Sequence, residues 1–407
     1  MSLTVRGFLE HFDLVVVGGG PSGLSSAWIA SKLGVKVLVL EEHEEIGVPK
    51  HCAGLVSREG LRAIGMPSER DYVENKVKRA FVVSPRGLTI EVKKRGEPIC
   101  VIDREVFDKA LASRAEDEGV RVEVSARVKE VVGLRGMVVR SSKGSYRAEA
   151  VIDGEGARAL ISHRMGLPKP SLKLPALQVE LRGVDVWMDA VWILMGKEWA
   201  PGFFAWVIPI GDRRARVGLA SSIGLCAQLL KRLVKKHPVV SRMLQKGKVE
   251  RLYSGVVVLS GVKRASIGNF LVVGDAAGQT KPLTGGGVVY GSLCGLLAGA
   301  SVAASIEKGV EASRIYEKAW RGILAREKAL AEDARRWLMQ VDDSYCSKII
   351  ECGERTGLFR VAEEELNFDF HATSLSRSSK LISALLSTLF LANPIKAFKY
   401  YLQTLIS

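Results

Sequence analysis

Gly18, Gly20 and Gly23 constrain this chain more than any other residues, because they interrupt an apolar run where a strand has to become a helix. Leu14 to Val17 is short, apolar and β-branched, as a strand buried in a parallel sheet would be. The spacing fits G-x-G-x-x-G: one glycine for the turn, one for close approach of backbone to a pyrophosphate, one for packing helix on strand. Pro21 stands where a missing N–H costs little, and Ser22 lies beside it in the first turn of a helix expected to run to Leu33. That helix turns its N–H groups and the positive end of its dipole toward an anion. Val35 to Leu40 reads as the second strand and delivers Glu41, a carboxylate able to accept both hydroxyls of an adenosine ribose. Strand, glycines, helix, strand and acid in that order predict a dinucleotide site, without distinguishing FAD from NAD.

A chain of 407 residues with 47% hydrophobic content can bury a large core, which excludes a disordered protein. Its net charge of +15 raises nucleic acid or lipid head groups as partners. The charge is dispersed and no nucleic-acid motif occurs, so no nucleic acid is expected. Six cysteines (52, 100, 226, 294, 346 and 352) lack metal-ligand spacing, so no metal is expected. Cys346 and Cys352 fall on different faces of an unbroken helix, so a bridge between them requires the helix to stop. The N-terminus lacks a basic segment followed by an apolar run and cleavage site, and no segment reaches about twenty apolar residues. A cytoplasmic protein is expected.

Further along, 44–61 reads as a polar loop carrying Pro49, His51, Cys52, Ala53 and Gly54. The segment 76–92 reads as a hairpin, and Asp103 as the N-cap of a helix beginning at Arg104 and facing Val106, Phe107, Ala110 and Leu111 inward. Three short strands are expected between Val120 and Arg140, and a strand from Ala150 ends in Asp153-Gly154-Glu155-Gly156. From Leu177 to Ser222 strands joined by tight turns suggest an inserted antiparallel sheet, with 210–213 as one hairpin connection. A second strong motif follows: Phe270 to Val273 runs into Gly274-Asp275, then Pro282, then Gly285, Gly286 and Gly287 before an apolar helix. A glycine-rich helix start stabilises a reduced flavin, whose N1–C2=O edge becomes negative, and the pairing of this motif with the first argues for FAD over NAD. The remainder is mainly helical. Ala312 to Gln340 should be a surface helix placing Ile315, Ala319, Ile323 and Trp337 on one face. Leu381 to Ala392 is apolar but too short to span a bilayer, and a last helix carries Ile395, Phe398, Leu402 and Leu405, with Lys396 and Lys399 nearby.

Pro49-x-x-Cys52-x-Gly54, together with Pro201-x-x-Phe204-x-Trp206-x-Ile208-Pro209, resembles the geranylgeranyl reductases, flavoproteins related to the p-hydroxybenzoate hydroxylase type. The second pattern departs from the family's Pro-x-x-Tyr-x-Trp-x-Phe-Pro at Phe204 and Ile208, which removes a phenolic hydroxyl. The resemblance implies an α/β fold: a Rossmann-like FAD-binding domain (1–75, 99–160 and 255–300), an inserted substrate domain (76–98 and 161–254) and a C-terminal helical region (301–407). It implies that the loop of Cys52, Ala53 and Gly54 lies beside the flavin, that Arg104 binds FAD, and that Asp275 bonds the ribityl chain or its phosphate environment. Trp192, Phe203, Phe204 and Trp206 become candidates to line a slot for a hydrocarbon chain.

The implied activity is saturation of geranylgeranyl double bonds, with archaeal-type membrane glycerophospholipids as the expected substrates. An isolated trisubstituted alkene accepts hydride poorly, so the expected chemistry pairs protonation of one carbon with hydride transfer from reduced flavin N5 to the tertiary carbon, in a dry tunnel. Cys52, His51 and a water are the candidate proton sources. A flavin monooxygenase and an electron-transfer flavoprotein serving a lipid quinone are the alternatives, although no iron–sulfur spacing supports the latter. The electron donor, whether ferredoxin, NAD(P)H or another reductant, stays open. Positive charge and the apolar C-terminal segment together suggest peripheral contact with an anionic membrane surface.

Overall fold

The computed structural model describes residues 9–67, 70–134 and 136–397. Strand Glu10–Val17 leads through the glycine turn into helix Pro21–Lys32. It pairs in parallel with Val37–Leu40 on one side and Ser145–Asp153 on the other. Beyond these lie Arg121–Glu123 and Phe270–Val272, also parallel. Val37–Leu40 is buried at every residue, as a parallel strand covered on both faces must be. The strands that end at Gly18, Gly154 and Gly274 are consecutive in this sheet and run the same way, so their three turns emerge together at its carboxyl end.

Helix Val288–Lys308 fixes the second glycine motif against the first. A Cβ on Gly295 would lie 2.2 Å from the Ser22 carbonyl oxygen, and one on Gly299 2.2 Å from that of Ser26. This helix therefore touches Pro21–Lys32 backbone to backbone, as only glycine permits. At 21 residues it is also long and apolar enough to cross a membrane by length and composition, which corrects the expectation that no segment is. Most of it is buried, however, with Val289, Tyr290, Cys294, Ala298 and Val302 in the main core.

The second sheet has seven strands in the order Lys248–Val258, Lys173–Arg182, Arg214–Ala220, Ala205–Gly211, Ala190–Leu194, Arg79–Val83 and Thr89–Lys93. It is antiparallel except where Ala190–Leu194 meets Arg79–Val83, because that hairpin enters from an earlier excursion of the chain. Lys248–Val258 runs past position 255, where the cofactor domain was expected to resume. Helix Cys226–Lys236 covers one face through Leu230 and Leu233. The other face meets a small sheet of Leu55–Ser57, Ile99–Ile102 and Val73–Val77, with Ile208 and Ile210 packed on Val77, Ile99 and Val101.

Helix Ala312–Gln340 has the expected extent but buries a different face. Tyr316, Trp320 and Leu324 point inward, whereas Ile315 and Ala319 are partly buried and Ile323 is exposed. Similarly, helix Arg104–Asp117 is capped by Asp103 as expected, but Val106 faces solvent and Asp108 the interior. Cys346 and Cys352 are free on the unbroken helix Asp343–Arg355. Helix Ser379–Ala392 packs on it through Ala392 and leaves Ile382, Leu386, Phe390 and Leu391 exposed. Phe398, Lys399, Leu402 and Leu405 lie outside the described residues.

Candidate active site

The three glycines of the first turn do three different jobs. Gly18 has φ +93°, and a Cβ there would lie 2.5 Å from the Gly154 carbonyl oxygen, so the first turn presses on the Asp153-Gly154 turn. A Cβ on Gly23 would lie 2.1 Å from the Gly18 oxygen, so helix and strand meet without room for a methyl. At Gly20, by contrast, nothing lies within 4 Å of that position, and backbone can come close to a phosphate at the N-terminus of Pro21–Lys32. Ser22 packs against Gly274 and Gly291. Glu41 is buried, with one carboxylate oxygen 2.6 Å from the Gly19 nitrogen and the other accepting from the His43 nitrogen at 2.9 Å. The acid is thus drawn onto the glycine loop itself.

Arg104 gathers the remaining cofactor loops. Its Nε and Nη2 donate to Asp108 at 2.9 and 2.8 Å in a bidentate pair. Burial opposes its charge, but the Asp108 carboxylate and the Cys52 sulfur beside it hold its pKa above the ordinary value. Its field also reaches Asp275, where loss of solvation raises the carboxyl's pKa and Arg104 opposes the rise. The Asp275 carboxylate lies against Gly287, since a Cβ there would be 2.9 Å from Oδ1. Among the described residues it has no hydrogen-bond partner. An unpartnered carboxylate between Arg104 and a glycine-rich helix start, with open backbone at Gly20 and a buried acid at Glu41, is a donor and acceptor set that fits FAD. Gly285 has φ +73°, and a Cβ on it would come within 3.5 Å of the Phe203 ring, so this turn abuts the second sheet.

The sheet face toward the cofactor loops carries Trp206 and Ile208 on one strand, with Phe204 just before it, and Arg216, Gly218 and Ala220 on the next. Phe203 stacks on Phe204 at 4.2 Å, and Phe204 meets Trp206 edge-on at 6.3 Å. Leu174, Leu259 and Val257 pack beside them. The Trp206 indole N–H donates to Gln178 Oε1 at 2.8 Å, and the Gln178 amide donates to the Cys52 carbonyl at 3.2 Å. Cys52 Sγ accepts from the Gly54 nitrogen at 3.3 Å. Trp192, expected in this slot, is paired with Val207 and stacks on Phe81 at 4.3 Å in the core on the opposite face. Adjacent residues of a strand point to opposite sides, so Trp192 and Trp206 cannot line one slot. His51 is exposed and ties its loop to the edge strand, Nδ1 donating to the Ser254 carbonyl at 2.6 Å. Ala53 packs with Leu55 and Phe368 near Trp206.

Two buried polar clusters escaped the sequence reading. Arg216, 2% exposed, bonds Glu180 at 3.1 Å, pairs with Glu74, and donates to the Ile102 carbonyl at 2.9 Å directly under Gly54. Alternation in the strands was the available signal, since it puts Glu180 and Arg216 opposite each other. The second cluster joins the C-terminal region to the second glycine motif and to the strand that follows the Cys52 loop. Lys281 Nζ lies 2.7 Å from Asp369 Oδ1, Ser57 donates to Asp369 Oδ2, and Tyr290 donates to the Asp369 carbonyl at 2.6 Å. No spacing rule links positions so far apart.

A family profile described as FAD dependent oxidoreductase matches residues 13–190. A protein of Methanopyrus kandleri named digeranylgeranylglycerophospholipid reductase 2 is 33% identical over 391 residues, 91% of this chain and 98% of that one. A digeranylgeranylglycerophospholipid reductase of Methanothrix thermoacetophila is 31% identical over 83% of this chain and 90% of its own. Among solved structures, a geranylgeranyl bacteriochlorophyll reductase-like protein of Thermoplasma acidophilum superposes with a TM-score of 0.81 at 26% identity, covering 96% of this chain and 98% of that one.

Proposed function

The chain belongs to the digeranylgeranylglycerophospholipid reductases, an FAD-dependent oxidoreductase family, and from that premise we propose that it saturates the geranylgeranyl double bonds of archaeal-type membrane glycerophospholipids. The observation that carries this reading is that Phe203, Phe204 and Trp206 form an apolar face beside both the Cys52 loop and the Gly285 turn. Such a face suits an apolar chain. When bound, reduced FAD supplies the hydride. Gly20 and the helix start behind it bind the pyrophosphate, Glu41 the ribose, and Asp275 the ribityl hydroxyls. The aromatic row orients the prenyl chain and excludes water, so that positive charge developing at the tertiary carbon is not captured by solvent. Cys52 is assigned as the proton donor to the alkene, because its loop is tied to Trp206 through Gln178 whereas His51 is exposed and bonded to the edge strand.

Trp206→Ala tests the reading. The variant is expected to keep its FAD and flavin spectrum while reoxidation of the reduced enzyme by a geranylgeranyl lipid slows by about two orders of magnitude, the equivalent of roughly 3 kcal/mol of lost chain burial. Loss of FAD with no change in turnover per bound flavin would assign Trp206 to the core.

The lipid is expected to be reached at an anionic membrane surface. Residues 370–407 contain no Asp or Glu, and helix Ser379–Ala392 exposes Leu386, Phe390 and Leu391 between Lys380 and Lys396. Those lysines approach Glu365 and Asp342 at 3.6 and 2.7 Å on the exposed surface, where such pairs exchange readily with solvent. Cosedimentation with anionic vesicles should fall but not vanish as salt rises, since salt screens charge and leaves apolar burial intact. Replacing Leu386, Phe390 and Leu391 by serine should remove the salt-resistant part. Equal binding to neutral and anionic vesicles would contradict the role given to charge.

A further inference from the structure

Gln178 sits 6% exposed on strand Lys173–Arg182, where nothing in its chemistry suits a hydrocarbon slot. Its register partner is Gly218, and the partner of Gly218 in the next strand is Trp206. The three form one line across three strands, so about 10 Å of sheet separates Gln178 from Trp206. Any side chain at the middle position would block that line, because a Cβ on Gly218 would fall 2.6 Å from the Trp206 ring. Glycine there lets the indole lie across the intervening strand and reach Gln178, which in turn reaches the Cys52 carbonyl. The amide's orientation is determined by its partners: an indole N–H only donates and a carbonyl only accepts. One side chain thus satisfies both.

We propose that Gln178 is a positioning residue of the reductase site, which sets the indole of Trp206 and the loop of Cys52 in register through its two hydrogen bonds. Gly218 is the accessory that makes the reach possible. The Cys52 loop comes from the cofactor-binding part of the chain and the Trp206 strand from the second sheet, and this amide is a direct polar tie between the thiol-bearing residue and the aromatic floor. The consequence for turnover rests on the reductase reading, whereas the tie itself does not.

The discriminating variant is Gln178→Glu, which keeps size and shape. As a carboxylate it still accepts from the indole but offers no donor and repels the Cys52 carbonyl; protonated, it regains the donor. The probe for the loop is dithiodipyridine, which reacts with thiols at acid as well as neutral pH, with labelling read at the Cys52 peptide by mass spectrometry in the FAD-loaded protein. At pH 8 the variant's Cys52 labelling rate should differ from wild type by about tenfold, the rate equivalent of one disrupted buried hydrogen bond. The variant-to-wild-type ratio should return toward one as the pH is lowered and the introduced carboxyl protonates. Turnover should follow the same course, with kcat falling at pH 8 and FAD affinity unchanged, and Gln178→Leu should lose kcat at every pH. A labelling ratio near one throughout, or an altered ratio that ignores pH, would overturn the proposal. Because labelling needs no lipid, a wild-type protein inactive on geranylgeranyl lipids would refute the reductase reading and leave this arm to decide the tie.

Discussion

Gly23→Ala should cost at least about 3 kcal/mol of folding stability, while Gly20→Ala should leave the apoprotein within about 0.5 kcal/mol of wild type and weaken FAD about a hundredfold. The two residues are three apart in the same motif, yet their surroundings differ completely. A methyl on Gly23 would collide with the Gly18 oxygen at 2.1 Å, and both atoms belong to backbone that the sheet and helix hold in place. Neither can move without opening the strand–helix junction. At Gly20 the backbone is extended (φ −82°, ψ 176°), a conformation alanine adopts freely, and no atom lies within 4 Å of the added carbon. Its only cost arises when a pyrophosphate has to approach those N–H groups, where charge-assisted bonds are lost. Urea unfolding of the two apoproteins and FAD titration of each separate the effects. Normal FAD affinity in Gly20→Ala would remove the pyrophosphate from this turn.

Asp369→Ala should destabilise the protein by about 3–5 kcal/mol, the usual result of deleting one partner of a buried ion pair. Among the described residues, Lys281 would keep the Phe368 carbonyl, at 3.0 Å, and the rings of Phe368 and Tyr290 as close partners. Burial already pushes the Lys281 amine below the ordinary lysine value and Asp369 opposes that shift, so removing the carboxylate should depress it further. A depressed lysine binds fewer protons folded than unfolded, so stability in the variant should rise with pH between its folded value and the ordinary one near 10.5. The deficit relative to wild type should therefore shrink toward alkaline pH. Lys281→Met combined with Asp369→Leu should recover much of the loss, since the penalty belongs to the orphaned charge. An additive double variant would show that the two side chains are not coupled. The pair bears on function because it fastens the C-terminal region to the turn before Gly285.

What could be read in advance divides along physical lines. The turn at Gly18, Gly20 and Gly23, the acid at the end of the second strand and the turn at Gly285 were legible as local structure because each answers a local backbone requirement, and the spacing of such requirements is written in the chain. Trp192 was misassigned because residue type alone does not say which side of a strand is which; parity does, and position 192 is in register with Val207 and not with Trp206. The inward face of Ala312–Gln340 was missed for a related reason. Its buried stripe includes Glu327, Lys328 and Arg335, so hydrophobicity pointed to a neighbouring stripe with Ile315 and Ile323. Gln178, Glu180 and Arg216 are polar residues on strands, which sequence alone would leave to solvent, and they are interior because loops from the cofactor-binding part close over that side. Burial of that kind depends on tertiary assembly, which no window of sequence contains.

The reductase reading as a whole is tested most directly by incubating the FAD-loaded protein, reduced chemically without oxygen, with a digeranylgeranyl glycerophospholipid and weighing the lipid by mass spectrometry. Each saturated double bond should add two hydrogens, about 2 Da, in step with flavin reoxidation observed at its absorption maximum. Unchanged lipid mass beside an enzyme that retains FAD, accepts electrons and reoxidises only when oxygen is admitted would contradict the reading and favour the monooxygenase alternative.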